Sequence, residues 1–236
     1  MEGEIKKPEA ILFDLGSTLL KDSFSGGLND RVRAHLSPEI FTPYVKEGFQ
    51  LPNALADTMD RIYHAGMEEF HVKSWLSENL LDGITDLNGS PETLEKHIRL
   101  SIIHYSSPED SVRVLRDLTK MEIPMAVVSN TIFSAELLRN NLEEHFVLDA
   151  FQFVVSSAEF GMRKPHPSIF LDACKQLGSE PAKTWYVGDL WVNDVIGSTA
   201  AGLVPVWLNA TAETPSDSVA HLRVRNWTEL GKLLGV

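Results

Sequence analysis

One cysteine, Cys174, stands in a chain of 236 residues. No disulfide can form within the chain, and a reducing, cytoplasmic compartment is expected. Basic residues are also scarce: 21 Lys and Arg against 33 Asp and Glu leave a formal net charge of −12. No Lys/Arg-rich run interrupts that balance, which excludes a general nucleic-acid partner, because phosphate-backbone binding needs a concentrated basic face. No apolar run is long enough to span a bilayer. The opening MEGEIKKPEA lacks the apolar stretch of a secretory signal. Internal repeats and low-complexity tracts are absent, and no feature sets an oligomeric state. What is present, 43% hydrophobic and 23% charged residues, is the balance of a soluble globular protein. The length suits one large domain or a core with a sizeable insertion.

Short apolar runs recur along the chain with amphipathic segments between them. AILFDL (10–15), PMAVVSN (124–130), FQFVVSS (151–157), TWYVGDL (184–190) and VPVWLN (204–209) read as strands bounded by Gly, Pro, Ser or Asn. SPEDSVRVLRDLTKM, SAELLRNNLEEHF, HPSIFLDACKQLG and NDVIGSTAAG read as helices, the first with Ser107 as its cap. The C-terminal AHLRVRNWTELGKLLG reads as a last edge strand and a closing helix. Nearly all-apolar strands alternating with helices predict an α/β fold: a Rossmann-like parallel sheet with helices on both faces.

Residues 22–105 differ. They hold helical stretches, LPNALADTMDRIYHAGMEEFHVKSWLSENL and ETLEKHIRLSIIHY, and no strong strand. Such a segment is too long for a crossover and large enough for a small domain. The division expected is a core of residues 1–21 and 106–236 with a helical cap of residues 22–105 inserted after the first strand. Gly26-Gly27 is a candidate hinge at the cap entrance.

In an open parallel sheet, ligands bind beyond the carboxyl ends of the strands. There the sequence sets Asp14, then Ser129 and Asn130, then Asp189 with Asp194 about one helical turn on, while GMRKPHP carries Lys164. Three carboxylates in one crevice repel one another, so a cation is required, and Mg²⁺ suits hard oxygen ligands shared with a phosphate. A cation beside a hydroxyl, a lysine and strand-end amides is a receptacle for a phosphoryl group. One carboxylate can then attack phosphorus and split a hard hydrolysis into two steps.

These residues resemble the haloacid dehalogenase superfamily, in its metal-dependent, phosphatase-like branch with a helical cap after strand one. Its four motifs are matched in order by Asp14-Leu15-Gly16-Ser17-Thr18, by Ser129 in VVSNT, by Lys164-Pro165, and by Gly188-Asp189 through Asn193-Asp194. The resemblance implies Asp14 as nucleophile and Mg²⁺ ligand. Asp189 would bind the metal, with Asp194 ligating or supporting it, and the carbonyl of Gly16 would contribute as well. Ser129 and the Asn130 amide would hold phosphate oxygens, and Lys164 would neutralise Asp14 and phosphate together. The substrate implied is a small phosphorylated metabolite.

The pattern breaks at Gly16, where the family carries the aspartate that acts as general acid and base. Loss of such a group costs about 10²–10⁴-fold in rate. Four explanations follow. The chain is a phosphatase with a substitute proton donor, among them His166, His35, Arg31 or a cap histidine. Its substrate has a leaving group that needs no proton, such as an acyl phosphate. It cleaves phosphonates through a cap lysine, with Lys46, Lys73 and Lys96 available. Or it is a non-catalytic domain that binds a phosphorylated ligand or a protein. Dehalogenases also lack that aspartate, but the Asp189/Asp194 pair is of the metal type. The histidine pairs His64/His71 and His97/His104, seven apart, are read as packing or surface residues rather than zinc ligands. Trp185, Trp191 and Trp207 are read as core residues.

Overall fold

A computed structural model of the chain describes residues 6–23, 27–41, 44–79, 90–145, 147–209, 213, 215 and 219–236. Six strands make one sheet: β1 Ala10–Phe13, β4 Met125–Ser129, β5 Val154–Ser156, β6 Thr184–Gly188, β7 Val204–Leu208 and β8 Leu222–Val224. Their order is β5-β4-β1-β6-β7-β8, and every pairing is parallel. The chain steps outward from β1 through β4 to β5, then returns to the other side of β1 for β6. The strand order therefore reverses at β1, which puts the ligand-binding crevice at its carboxyl end. Phe13 is in register with Val127 on one side and Val187 on the other, so the residues following β1, β4 and β6 end close together.

Alternation along β1 sends Ile11 and Phe13 to one apolar layer and Leu12 to the opposite one. The first layer packs against α6 (Ser111–Lys120) and α11 (Trp227–Leu234), with Phe13 stacked on Trp227 at 5.8 Å. The second packs against α9 (Pro167–Leu177) through Ile169, Phe170, Ala173 and Cys174. Ser134 caps α7 (Ala135–Glu144) with its side-chain oxygen. Helix α6 starts at Ser111 and not after Ser107: Asp110 takes a left-handed conformation at the boundary, and the Ser107 hydroxyl lies 3.2 Å from His145.

Between β1 and β4 lie α1 Leu28–His35, α2 Pro38–Phe41, α3 Leu51–Ala65, α4 Val72–Glu78 and α5 Pro91–Ile102. They share their own apolar cluster, in which Leu55, Met59, Leu76 and Ile98 meet Ile132 and Phe133 from the sheet domain. The long helical stretch expected from residue 51 breaks at Gly66, whose φ of +153° ends α3. His71 consequently stands at the start of α4 rather than on the face of α3 that carries His64. The region also holds strand pairing that the sequence did not announce. Two-residue strands β2 (Lys21–Asp22) and β3 (Tyr105–Ser106) pair antiparallel where the chain leaves and re-enters the sheet domain. Buried Glu95 of α5 accepts from Ser134 N and Oγ (2.6 and 2.8 Å), fastening the cap to α7. Gly26, half of the candidate hinge, lies outside the described residues. No helix among them is long and apolar enough to cross a membrane.

Candidate active site

Asp14 directly follows β1, Ser129 ends β4, and Asp189 directly follows β6. One carboxylate oxygen from each of Asp14, Asp189 and Asp194 lies within 4.8 Å of the others, the only such group of metal-ligand type found among the described residues. Lys164 is buried in their midst. Its ammonium donates to Asp14 Oδ1 (2.6 Å), Asp194 Oδ1 (2.8 Å) and the Tyr186 hydroxyl (2.7 Å). One cation thus stands against three carboxylates.

Local structure explains how each group is held. The loop bearing Lys164 is clamped by Asn130, whose side chain accepts from Lys164 N (2.7 Å) and donates to Lys164 O (2.8 Å). Asn130 is therefore committed through its side chain to the lysine loop. Asp194 lies in a π-helical turn, Trp191–Ile196, and its second oxygen accepts from Leu190 N at 2.9 Å. Wide turns of this kind recur at functional sites. Gly188 is required by close approach: a Cβ there would sit on the Asp194 carboxyl. Asp189 is held through its carbonyl, which accepts from Trp207 Nε1 at 2.8 Å, and through its carboxylate, 3.4 Å from Thr18 Oγ1.

Burial and crowding set the charge states. Asp14 is pushed up to about 6, first by burial and then by Asp194, against the opposing pull of Lys164. Asp189 is pushed up to about 8 by burial, Asp14 and Asp194. Burial alone would lower Lys164, but Asp14 and Asp194 outweigh it and hold the ammonium above its ordinary value. Burial, with the same carboxylates nearby, keeps the Tyr186 phenol protonated. Two carboxylates that resist ionisation beside a buried lysine leave the site short of positive charge. The donor set is entirely hard oxygen, which fits a divalent cation of the Mg²⁺ kind.

A cavity of about 220 Å³ reaches Asp14, Gly16, Ser129, Asn130 and Lys164. Asp22, Arg31, Ile103 and Tyr105 close it from the cap and its neck. Asp189 opens instead on a separate cavity of about 360 Å³ beside Ser17, Thr18 and Asn209. At Gly16 an added Cβ would meet nothing within 4 Å. Of the proposed substitute proton donors, only Arg31 lines the 220 Å³ cavity. It is paired with Asp22. His166 caps α9, with Nδ1 2.7 Å from Ser168 Oγ, and is not among the residues lining the cavity; nor is His35. Tyr186 and Asp22, the ion-pair partner of Arg31, are the residues that sequence reasoning missed. A tyrosine in an otherwise apolar buried strand was the available signal for the first.

Trp185 and Trp207 are buried, as expected of core residues, while Trp191 packs edge-on against Trp207 and His221.

A family model described as haloacid dehalogenase-like hydrolase matches residues 53–207. The chain is 33% identical over 134 residues to the N-acylneuraminate-9-phosphatase of Homo sapiens, covering 56% of this chain and 53% of that one. It is 34% identical over 100 residues to the glyceraldehyde 3-phosphate phosphatase of Methanopyrus kandleri, covering 41% of each. These matches span about half the relatives' length or less. A 25% identity over 233 residues links it to the pyrimidine 5'-nucleotidase YjjG of Escherichia coli, 95% of this chain and 96% of that one. The fold is shared with a phosphatase from Thermococcus onnurineus (TM-score 0.60, 22% identity, 98% of each chain). It is shared equally with a 2-haloacid dehalogenase from Pseudomonas syringae (TM-score 0.66, 18% identity, 98% and 99%).

Proposed function

Because the chain belongs to the haloacid dehalogenase-like hydrolase family, we propose that it is a Mg²⁺-dependent phosphatase acting on a small phosphorylated metabolite, with Asp14 as nucleophile. The observation that carries this reading is the cluster of three carboxylates, Asp14 and Asp194 buried and Asp189 half-buried, around one lysine at the switch point of a parallel sheet. In this reading the cap comprises residues 22–105 and the hydrolytic core residues 1–21 and 106–236.

Asp14 attacks phosphorus, a carboxylate–phosphorus bond forms, and the bond from phosphorus to the leaving oxygen breaks. Water then attacks the acyl phosphate, releasing inorganic phosphate and restoring Asp14. Lys164 offsets the charge of Asp14 and of the phosphoryl oxygens. The Ser129 hydroxyl and the backbone N–H of Asn130 take phosphoryl oxygens, the Asn130 side chain being occupied with the lysine loop. The metal would be held by Asp14, Asp189, Asp194 and the Gly16 carbonyl, and when bound it supplies charge neutralisation for the transferring group. Gly16 offers no proton to the leaving oxygen, which favours substrates whose leaving group departs as a stable anion, acyl phosphates above all.

Gly16 also favours one second reading, carbon–halogen cleavage, in which halide leaves without a proton. Phosphate and halide release from matched panels, with Mg²⁺ and with chelator, separate the two. Phosphate release that needs both Mg²⁺ and Asp14 supports the phosphatase. Halide release that persists in chelator overturns it.

A further inference from the structure

The cavity at Asp14 opens into a larger cleft of about 710 Å³. The two share Leu28, Asn130, Thr131, Leu190 and Asn193, so a phosphoryl group beside Asp14 would extend its remaining atoms into the cleft. The charged groups lining it are mostly engaged with one another. Arg33 pairs with Asp57 (2.9 Å) and Asp60 (2.8 Å), and Asp60 also takes the Asn29 amide. Glu69 accepts from Ser157 Oγ (2.8 Å) and Phe70 N (3.0 Å), and its burial raises its pKa.

Arg163 is different. Its guanidinium sits over the Tyr63 ring, 4.5 Å from the centroid. Among the described residues no oxygen accepts a hydrogen bond from it, and no carboxylate comes within ion-pair distance. Glu69, on the neighbouring paired segment, attracts it electrostatically without bonding to it. The backbone is fixed from both sides. Arg163 N donates to Met67 O at 2.9 Å, Met162 bridges Glu68 of the cap, and the next residue is held by Asn130. A guanidinium laid on an aromatic ring keeps its edge donors for a planar anion, in the fork geometry that matches carboxylate or phosphate.

We propose that Arg163 is the specificity-determining residue of the cleft, selecting phosphorylated compounds that carry a second oxyanion, a carboxylate or a second phosphate, on the leaving portion. The inference rests on the phosphatase reading of the Asp14 site.

Two matched pairs test it. 6-Phosphogluconate and glucitol 6-phosphate differ by a carboxylate in place of a hydroxymethyl group. Fructose 1,6-bisphosphate and fructose 6-phosphate differ by the second phosphate. The natural protein with Mg²⁺ is expected to favour the member with the second oxyanion in one pair by about 10–100-fold in kcat/KM, chiefly through KM. The pair with the larger ratio identifies the second group. In Arg163→Gln the ratio falls to near one, and Arg163→Lys recovers part of it. Equal losses on both members of each pair would show that Arg163 only clamps Tyr63 and the cap, and would overturn the inference. The same four compounds, titrated calorimetrically into Asp14→Asn and into Asp14→Asn with Arg163→Gln, read binding without turnover. If the natural protein hydrolyses none of these and no acyl phosphate either, the phosphatase reading fails. A binding preference in Asp14→Asn that the second substitution removes would still uphold the role of Arg163. No preference, or no binding, would overturn it.

Discussion

Tyr186 stands between two strands as a relay. Its hydroxyl accepts from Lys164 Nζ at 2.7 Å and donates to the carbonyl of Val128 at 3.1 Å. The Val128 bond ties β6 to β4 across β1, and the lysine bond fixes the ammonium between Asp14 and Asp194. Tyr186→Phe leaves a buried lysine and a buried carbonyl each short of a partner. We expect a loss of about 1–3 kcal/mol in urea unfolding and a fall of about 10–100-fold in turnover, the size usual for a supporting partner.

Lys164→Met removes the only cation among the described residues that bonds two of the three clustered carboxylates. Breaking a buried pair from one side costs about 3–5 kcal/mol, so the variant should unfold at markedly lower urea concentration. Adding Mg²⁺ should recover part of that stability if the carboxylates bind it. An unchanged unfolding midpoint would contradict the charge balance argued for the site.

Gly16→Asp should fold, since a Cβ at position 16 has open space around it. On phosphate esters of alcohols, turnover should rise by about 10²–10⁴-fold. On acyl phosphates, whose leaving group needs no proton, it should change little. A uniform fall on both substrates would mean that some other group already transfers the proton.

Stability in chelator should depend on pH through Asp189. Its pKa is about 8 in the folded chain against an ordinary 3.8, so the unfolded chain gives up that proton first. The folded state is favoured most below about pH 4, loses that advantage as pH rises toward 8, and changes little beyond. Asp189→Asn should flatten this slope, as read from urea unfolding at a series of pH values. By the same linkage, the Mg²⁺ concentration needed for half-maximal stabilisation should fall between pH 6 and 8, with proton release on binding.

The sheet was legible because its inner strands are short and apolar on both faces, and all six strands lie within the runs expected, including the edge strand at Leu222–Val224. The carboxylates, lysine and strand-end serine were legible because each sits where an apolar run ends. Less could be read in the cap. Gly66 breaks a helix whose amphipathic pattern continues through it, and β2 and β3 are only two residues each, too short for alternation to register. Asp22 gave no signal because it belongs to the cavity only once β2 folds over it, whereas Arg31, one of the candidate proton donors, does line it. His166 misled for the opposite reason: its position next to the lysine loop suggested chemistry, whereas the backbone uses it to start α9.

The central claim is that Asp14 carries the phosphoryl group. Turnover quenched with borohydride, with Mg²⁺ and an acyl phosphate substrate, reduces an aspartyl phosphate to homoserine at the labelled position. The account predicts homoserine in place of Asp14, absent in chelator. Reduction found on Lys46, Lys73 or Lys96 with a phosphonate substrate, with Asp14 unmodified under every condition that gives turnover, would contradict it.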